Sequence, residues 1–354
     1  MKLLIITQKV DQNEQLLGFF IGWIVGLASR FDKITVGCLE KGEFDLPDDI
    51  RVVSFGKERG ISKIGQLFNF YKLIIGESRN YDAVLVHMNP IWVVLGGWWW
   101  RISGKKISLW YAHGTVSSTL QLAEKFAHII FTSTKEGCRI KSCKIKIVGQ
   151  GIDVEKFKIQ FSPQAQVEGN SKFKIVSVGR ISPSKDYGTL IDAINILCDE
   201  NMVIEIIGGP GIPEDAVYRE KLKQKIKTNG LGNKFIFRGA VSNSQIVSFL
   251  QSADLFINMG QTGSLDKAVL EAMAVGLPVV TCNEAYEDVL GELKTRLMYS
   301  KKDAAGLSER ILYILNMDAE EKSHLSARLR QIVVENHNLN GLLEKISQIL
   351  KNNG

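Results

Sequence analysis

Short apolar runs separated by helix-length amphipathic stretches recur along the whole chain, and this alternation restricts the fold more than any other feature. The runs at 2–7, 33–39, 50–55, 82–88, 107–112, 128–132 and 144–148 read as strands, and a second series follows at 173–179, 203–208, 234–238, 254–258 and 278–282. Strands buried on both faces read as continuous apolar runs, and strand–helix alternation builds parallel sheets covered by helices on both sides. Between the two series, 153–172 is polar, carries Pro163 and Gly169 and has no periodicity, so a domain boundary belongs there. The expectation is an α/β chain of two Rossmann-like, doubly wound domains, 1–160 and 161–339, with a last helix at 340–354 packing back towards the first. A length of 354 residues, 45% of them hydrophobic, suffices for two cores.

Composition narrows the function by exclusion. The five cysteines are an odd number, and the one close pair, Cys138 and Cys143, lacks metal-ligand spacing, so neither a disulfide framework nor a zinc site is expected. A reducing, cytoplasmic setting fits. The opening Met-Lys-Leu-Leu-Ile-Ile-Thr turns polar at Gln8 and reads as a first strand rather than a leader. No apolar run is long enough to span a bilayer. The net charge of +6 is modest; it fits anionic partners other than nucleic acid, and solvated surface is the commoner explanation of such a balance.

Doubly wound sheets bind ligands at the carboxyl ends of their strands, so each loop there carries information. After 173–179 come Gly179, Arg180 and Lys185, just ahead of a helix that begins near Tyr187. A guanidinium, an ammonium and unpaired backbone N–H groups at a helix start all favour a diphosphate, the alternative being a solvated loop with two ordinary basic residues. The glycines of Ile207-Gly208-Gly209-Pro210-Gly211 lack dinucleotide spacing, and the loop after the first strand has no glycine before Gly18. A dehydrogenase and a Walker-type nucleotidase are both disfavoured.

Five motifs in order then carry a family resemblance. They are Trp110-Tyr111-Ala112-His113-Gly114; Gly149-Gln150-Gly151-Ile152-Asp153; Val178-Gly179-Arg180-Ile181 with Lys185; Phe237-Arg238-Gly239-Ala240-Val241 with Ala253-Asp254-Leu255-Phe256-Ile257; and Val269-Leu270-Glu271-Ala272-Met273-Ala274 running on to Gly276, Pro278 and Val279. Together they resemble the retaining family-4 glycosyltransferases of the glycosyltransferase B fold, over nearly the full chain. The resemblance implies two domains facing a cleft, the first binding acceptor and the second a nucleoside diphosphate sugar. It assigns Glu271 to the ribose hydroxyls, Arg180 and Lys185 to the leaving diphosphate, and His113 to the donor sugar. Gly179 and Val241 are further donor-site candidates, and where the chain departs from the family pattern Gly263, Ser264, Asp266 and Lys267 are candidates for the same site. Transfer would need no metal and no cofactor beyond the donor substrate, in keeping with the absence of an aspartate pair one residue apart. The family's second glutamate, eight positions before Glu271, is Gly263 here. Asp266 either supplies the missing carboxylate to the sugar or serves as a helix N-terminal acid. Gly18 either lets backbone approach the phosphate or permits close packing, and His87 is assigned to the acceptor side.

Hexosyl transfer to a saccharide or lipid-linked acceptor in polysaccharide or glycolipid synthesis is the function these implications define. The alternatives are a nucleotide-sugar epimerase of the same fold and a sugar-nucleotide-binding subunit without turnover. A final expectation concerns Trp98-Trp99-Trp100 with Arg101, Lys105 and Lys106. Successive helical positions lie about 100° apart, so three tryptophans cannot all enter one core, and an outward ring beside cations suits an anionic membrane surface at the inner face.

Overall fold

The computed structural model describes residues 1–158, 172–261 and 263–352. They form two compact units, one of residues 1–151 with 339–354 and one of residues 152–338. The division expected at 160/161 lies outside the described residues; the units part at Gly151/Ile152, ahead of the polar tract, and again at Asn338/Leu339.

In the first unit the chain runs β1 (Lys2–Val10), α1 (Phe20–Ala28), β2 (Lys33–Lys41), β3 (Arg51–Ser54), α2 (Lys63–Gly76), β4 (Ala83–His87), α3 (Ile91–Ile102), β5 (Lys106–Trp110), α4 (Ser118–Phe126), β6 (Ile129–Thr132) and β7 (Ile145–Ile147). Its sheet is parallel and ordered β3-β2-β1-β4-β5-β6-β7. Alternate residues of β1 divide between two cores, as a period of two requires. Leu3 and Ile5 meet α1 through Phe20, Trp23 and Leu27, whereas Leu4 and Ile6 join Phe70 and Ile74 of α2 and Trp100 of α3. Helix starts follow side-chain chemistry: Ser62 accepts from Gly65 N at 3.3 Å ahead of α2, and Ser117 from Leu120 N at 3.1 Å ahead of α4.

The second unit runs β8 (Phe173–Val178), α5 (Tyr187–Leu197), β9 (Met202–Ile207), α6 (Pro213–Thr228), β10 (Phe235–Gly239), α7 (Asn243–Gln251), β11 (Leu255–Asn258), α8 (Lys267–Ala274), β12 (Val279–Thr281), α9 (Glu287–Leu290), α10 (Lys294–Leu297), α11 (Ala304–Leu315) and α12 (Ala319–Asn336). Its parallel sheet is ordered β10-β9-β8-β11-β12. The last helix, α13 (Leu339–Asn352), belongs to the first unit. There Leu342, Leu343, Ile346 and Leu350 complete the core beside α1. The approach is close at Gly26, where a Cβ would collide with Leu343 Cδ1, and Arg30 of the following turn pairs with Glu344 at 3.1 Å.

Both sheet orders reverse direction once, between β1 and β4 in the first unit and between β8 and β11 in the second. A crevice for ligand opens at such a reversal, outside the carboxyl ends of the strands. No helix of the described residues is long and apolar enough to cross a membrane.

Candidate active site

At the reversal of the second sheet, the loops leaving β8 and β11 are stitched together. Gly179 N donates to Ile207 O at 2.9 Å and Ile181 N to Gly209 O at 3.0 Å, which fastens the first loop to the end of β9. Arg180 is half-exposed, with Nε 3.6 Å from Asp215 Oδ2. The Asp215 carboxylate is buried in the first turn of α6 and also accepts from Gly211 N at 3.0 Å. Lys185 ends a 3-10 turn, Pro183–Lys185, and a Cβ on Gly179 would lie 3.5 Å from Lys185 Cε, so Gly179, Arg180 and Lys185 do come together. Asp186 adopts φ 43° ahead of α5, and its Oδ2 accepts from Thr189 Oγ1 at 2.8 Å and Gln261 Nε2 at 2.9 Å. Arg180 and Lys185 thus lie on the loop that leads into the amino end of α5, where unpaired N–H groups and the helix dipole favour an anion.

Lys185 Nζ donates to Asp266 Oδ2 at 2.5 Å. The same oxygen accepts from Asn258 Nδ2 at 2.9 Å, while Asn258 Oδ1 takes Thr281 Oγ1 at 3.0 Å and Gly260 N at 3.2 Å. Asp266 occupies the N-cap position of α8, yet its side chain makes no cap hydrogen bond there. The carboxylate is turned towards the lysine instead, and the backbone carbonyl of Asp266 is held by Tyr286 Oη at 2.6 Å. Burial raises the Tyr286 phenol well above its ordinary pKa, so it remains a donor. Gly263 adopts φ 70°, and the Ser264 carbonyl accepts from Asn283 Nδ2 at 2.8 Å, so the turn before α8 is braced from the end of β12.

Glu271 is only 4% exposed. The acid in the apolar helix α8 is therefore not on a solvated face. Asn243 Nδ2 donates to its Oε1 at 3.3 Å and Lys267 Nζ lies 3.5 Å away, while Lys156 Nζ donates to Asn243 Oδ1 at 2.6 Å. Burial pulls the pKa of Lys267 down, with the Glu271 charge opposing, and burial does the same to Lys156. Val241 packs half-buried against the core just before Ser242, whose capping box with Gln245 starts α7.

The remaining candidates lie in the first unit. His113 is exposed in the loop after β5, and its Nδ1 accepts from Thr115 N at 3.3 Å. His87 corrects the expectation of an acceptor-lining side chain: it is 1% exposed, stacks on Phe20 with centroids 4.0 Å apart, and sets Nδ1 3.4 Å from Thr7 Oγ1. An imidazole among Phe19, Phe20 and Trp23 is part of the core. Gly18 lies two residues ahead of α1, and a Cβ there would meet Glu14 O at 2.5 Å and Gln12 O at 2.9 Å. Its glycine is required by the loop's own backbone, which is the close-packing alternative.

Asn258, Asn283, Asn243, Asp186 and Gln261 hold the site and escaped the sequence reading. Their one available signal was position: Asn258 ends β11, and Asn283 follows β12 by two residues, where apolar runs give way to polar side chains.

Two doubly wound units of this topology define a glycosyltransferase B fold. HepE from Anabaena in complex with UDP and glucose superposes with a TM-score of 0.79 over 99% of both chains, at 19% identity. Residues 158–332 match the family model for glycosyl transferases group 1. The chain's relatives include 2-deoxystreptamine N-acetyl-D-glucosaminyltransferase of Niallia circulans, 21% identical over 70% of each chain. Another is UDP-Gal:alpha-D-GlcNAc-diphosphoundecaprenol alpha-1,3-galactosyltransferase of Escherichia coli, 22% identical over 63% of this chain and 62% of that one.

Proposed function

We propose that this chain is a group 1 glycosyltransferase, a retaining, metal-independent hexosyltransferase of family 4 whose donor is a nucleoside diphosphate sugar. The observation that carries the reading is the fixed pair of Arg180 and Lys185 at the sheet reversal, beside the amino end of α5 and one loop away from buried Glu271. In this reading the two cations and the α5 amides neutralise the departing diphosphate, a task that a metal ion performs elsewhere. Glu271, acceptor-only when ionised, takes both ribose hydroxyls. Val241 borders the base, the Gly263 and Ser264 backbone and Lys267 flank the donor, and His113 contacts its sugar. The acceptor hydroxyl attacks the anomeric carbon on the face the diphosphate leaves. The carbon–oxygen bond to phosphate breaks as the new glycosidic bond forms, and the acceptor proton passes to the departing phosphate oxygen.

UDP-hexoses are the first donors to test, because the HepE structure holds UDP and glucose and the E. coli relative is named for UDP-Gal. That relative's diphosphoundecaprenol acceptor supports a lipid-linked saccharide as acceptor here, in polysaccharide or glycolipid synthesis at the cytoplasmic membrane face. Product analysis over a panel of nucleotide sugars tests the proposal, with the anomeric configuration of the product read by NMR. Arg180→Ala and Lys185→Ala each lower turnover about 10²–10³-fold, the scale for a lost transition-state donor, with melting temperature kept. Near-normal turnover in both variants removes the assignment. A rearranged sugar nucleotide formed without acceptor identifies an epimerase, and binding without any product a non-catalytic subunit.

A further inference from the structure

The first unit carries an apolar surface that its own fold does not cover. On α2, Phe70, Leu73 and Ile74 are buried, whereas Ile64 is 82% exposed, Phe68 69%, and Ile75 also lies open. Positions 64, 68, 71 and 75 follow the i, i+4, i+7, i+11 spacing of one helical stripe. A surface helix ordinarily presents polar residues there. The stripe continues onto α3: Tyr71 Oη donates to Leu95 O at 3.0 Å, and the Tyr71 ring lies 6.3 Å from that of Trp98. Trp98 is 44% exposed and Ile102, one turn further, is 76% exposed.

Of the three tryptophans, only Trp98 is exposed. Trp100 is buried with Nε1 on Tyr81 Oη at 3.1 Å, and half-buried Trp99 donates to Ile74 O at 3.2 Å. The basic residues next to them are tied to main chain. Arg101 Nε donates to Phe126 O at 2.8 Å, Lys105 Nζ to Tyr81 O at 2.7 Å and Lys106 Nζ to Leu350 O at 2.7 Å. The cations alongside the stripe are Lys63 and Lys72 of α2, both exposed, and no acidic residue occurs in either α2 or α3.

We infer that the outer faces of α2 and α3 dock on an anionic lipid surface, with Ile64, Phe68, Ile75, Trp98 and Ile102 entering the headgroup–acyl boundary and Lys63 and Lys72 meeting lipid phosphates. Large apolar side chains flanked by cations, with a tryptophan and without acids, match the interface on both its apolar and its charged side. A second copy of this chain is the poorer partner, because it would place lysine against lysine. The site makes no use of the donor loops, so the inference stands or falls separately from the catalytic reading.

Flotation of the full chain with vesicles of phosphatidylglycerol and phosphatidylcholine, against phosphatidylcholine alone, tests it without turnover. The expected result is binding to the anionic vesicles at low salt that weakens as salt is raised. Phe68→Ser/Trp98→Ser lowers partitioning on the order of tenfold or more. Lys63→Gln/Lys72→Gln lowers it about fivefold per lysine, from roughly 1 kcal/mol each. Val334→Ser, an exposed apolar position in the second unit, leaves it unchanged. All these side chains are exposed, and circular dichroism melts confirm that the variants fold. Failure to bind anionic vesicles at low salt overturns the inference, as does binding that neither double variant weakens. Concentration-dependent dimerisation abolished by Phe68→Ser/Trp98→Ser, with no vesicle binding, reassigns the face to self-association.

Discussion

Removing the Asp266 carboxylate tests whether it acts on the donor directly or through Lys185. Its Oδ2 holds Lys185 Nζ at 2.5 Å and Asn258 Nδ2 at 2.9 Å, and both charged side chains are largely withdrawn from solvent. A hydrogen bond to a charged group in such a setting contributes about 1.5–3 kcal/mol. If the bond serves to aim the ammonium at the leaving diphosphate, Asp266→Ala lowers kcat roughly ten- to hundredfold, at about 1.4 kcal/mol per decade. Asp266→Asn recovers part of that, because its amide oxygen still accepts from the lysine. The decisive assay is a double-mutant cycle with Lys185→Met, measuring kcat and KM for transfer and the melting temperature of each variant. Asp266→Ala should cost nothing further once Lys185 is gone, a coupling close to the whole single-variant loss. Additive losses refute the positioning role and return Asp266 to direct contact with the sugar. Unchanged kinetics in Asp266→Ala refute both.

Three further outcomes are expected. Glu271→Ala weakens nucleoside diphosphate binding by calorimetry about ten- to hundredfold, through lost charged hydrogen bonds, and Glu271→Gln weakens it less; equal affinity in all three proteins would remove the ribose assignment. Native protein at pH 8 should label rapidly with a thiol reagent at exposed Cys143 and Cys198 but slowly at Cys38, Cys138 and Cys282. Burial raises the pKa of all three buried thiols, that of Cys38 to about 12, and peptide mapping reads the pattern. Gly26→Leu forces α1 from α13 at Leu343 and should destabilise the first unit by about 1–3 kcal/mol, read as a lowered denaturation midpoint with unchanged nucleotide binding in the second.

The strands were legible because buried parallel strands write their position directly as apolar runs: every expected strand overlaps one in the structure. Sheet order was accessible through general rules alone. The domain boundary was less so. Gly151-Ile152 looks like any strand-to-loop passage, and nothing in its composition marks the point where contacts stop crossing. Among the candidate residues, Arg180 and Lys185 stand out in the sequence as charge beside a strand end, and Glu271 as an acid inside an apolar helix that matches the family motif. Asn243, Asn258 and Asn283 do not, since an amide that braces a loop by two or three hydrogen bonds has the same local signature as an amide in any turn. His87 shows the converse error. A histidine at a strand's carboxyl end invites a functional reading, yet whether it faces ligand or core depends on Phe20, far away in sequence and only 4.0 Å away between ring centroids.

The placement of α13 has a consequence for how the polypeptide matures. During translation, residues 1–151 emerge with Phe20, Trp23 and Leu27 of α1 but without Leu342, Leu343, Ile346 and Leu350, which cover that side of the core. The continuous segment 152–338 can close its own core before those partners exist. The ribosome therefore delivers the first unit's closing element after the second unit, and until then the α1 side of the first core lacks its cover. A nascent chain interrupted before Leu339 would lack Leu342, Leu343, Ile346 and Leu350 from the first unit's core while holding every residue of the second unit's core.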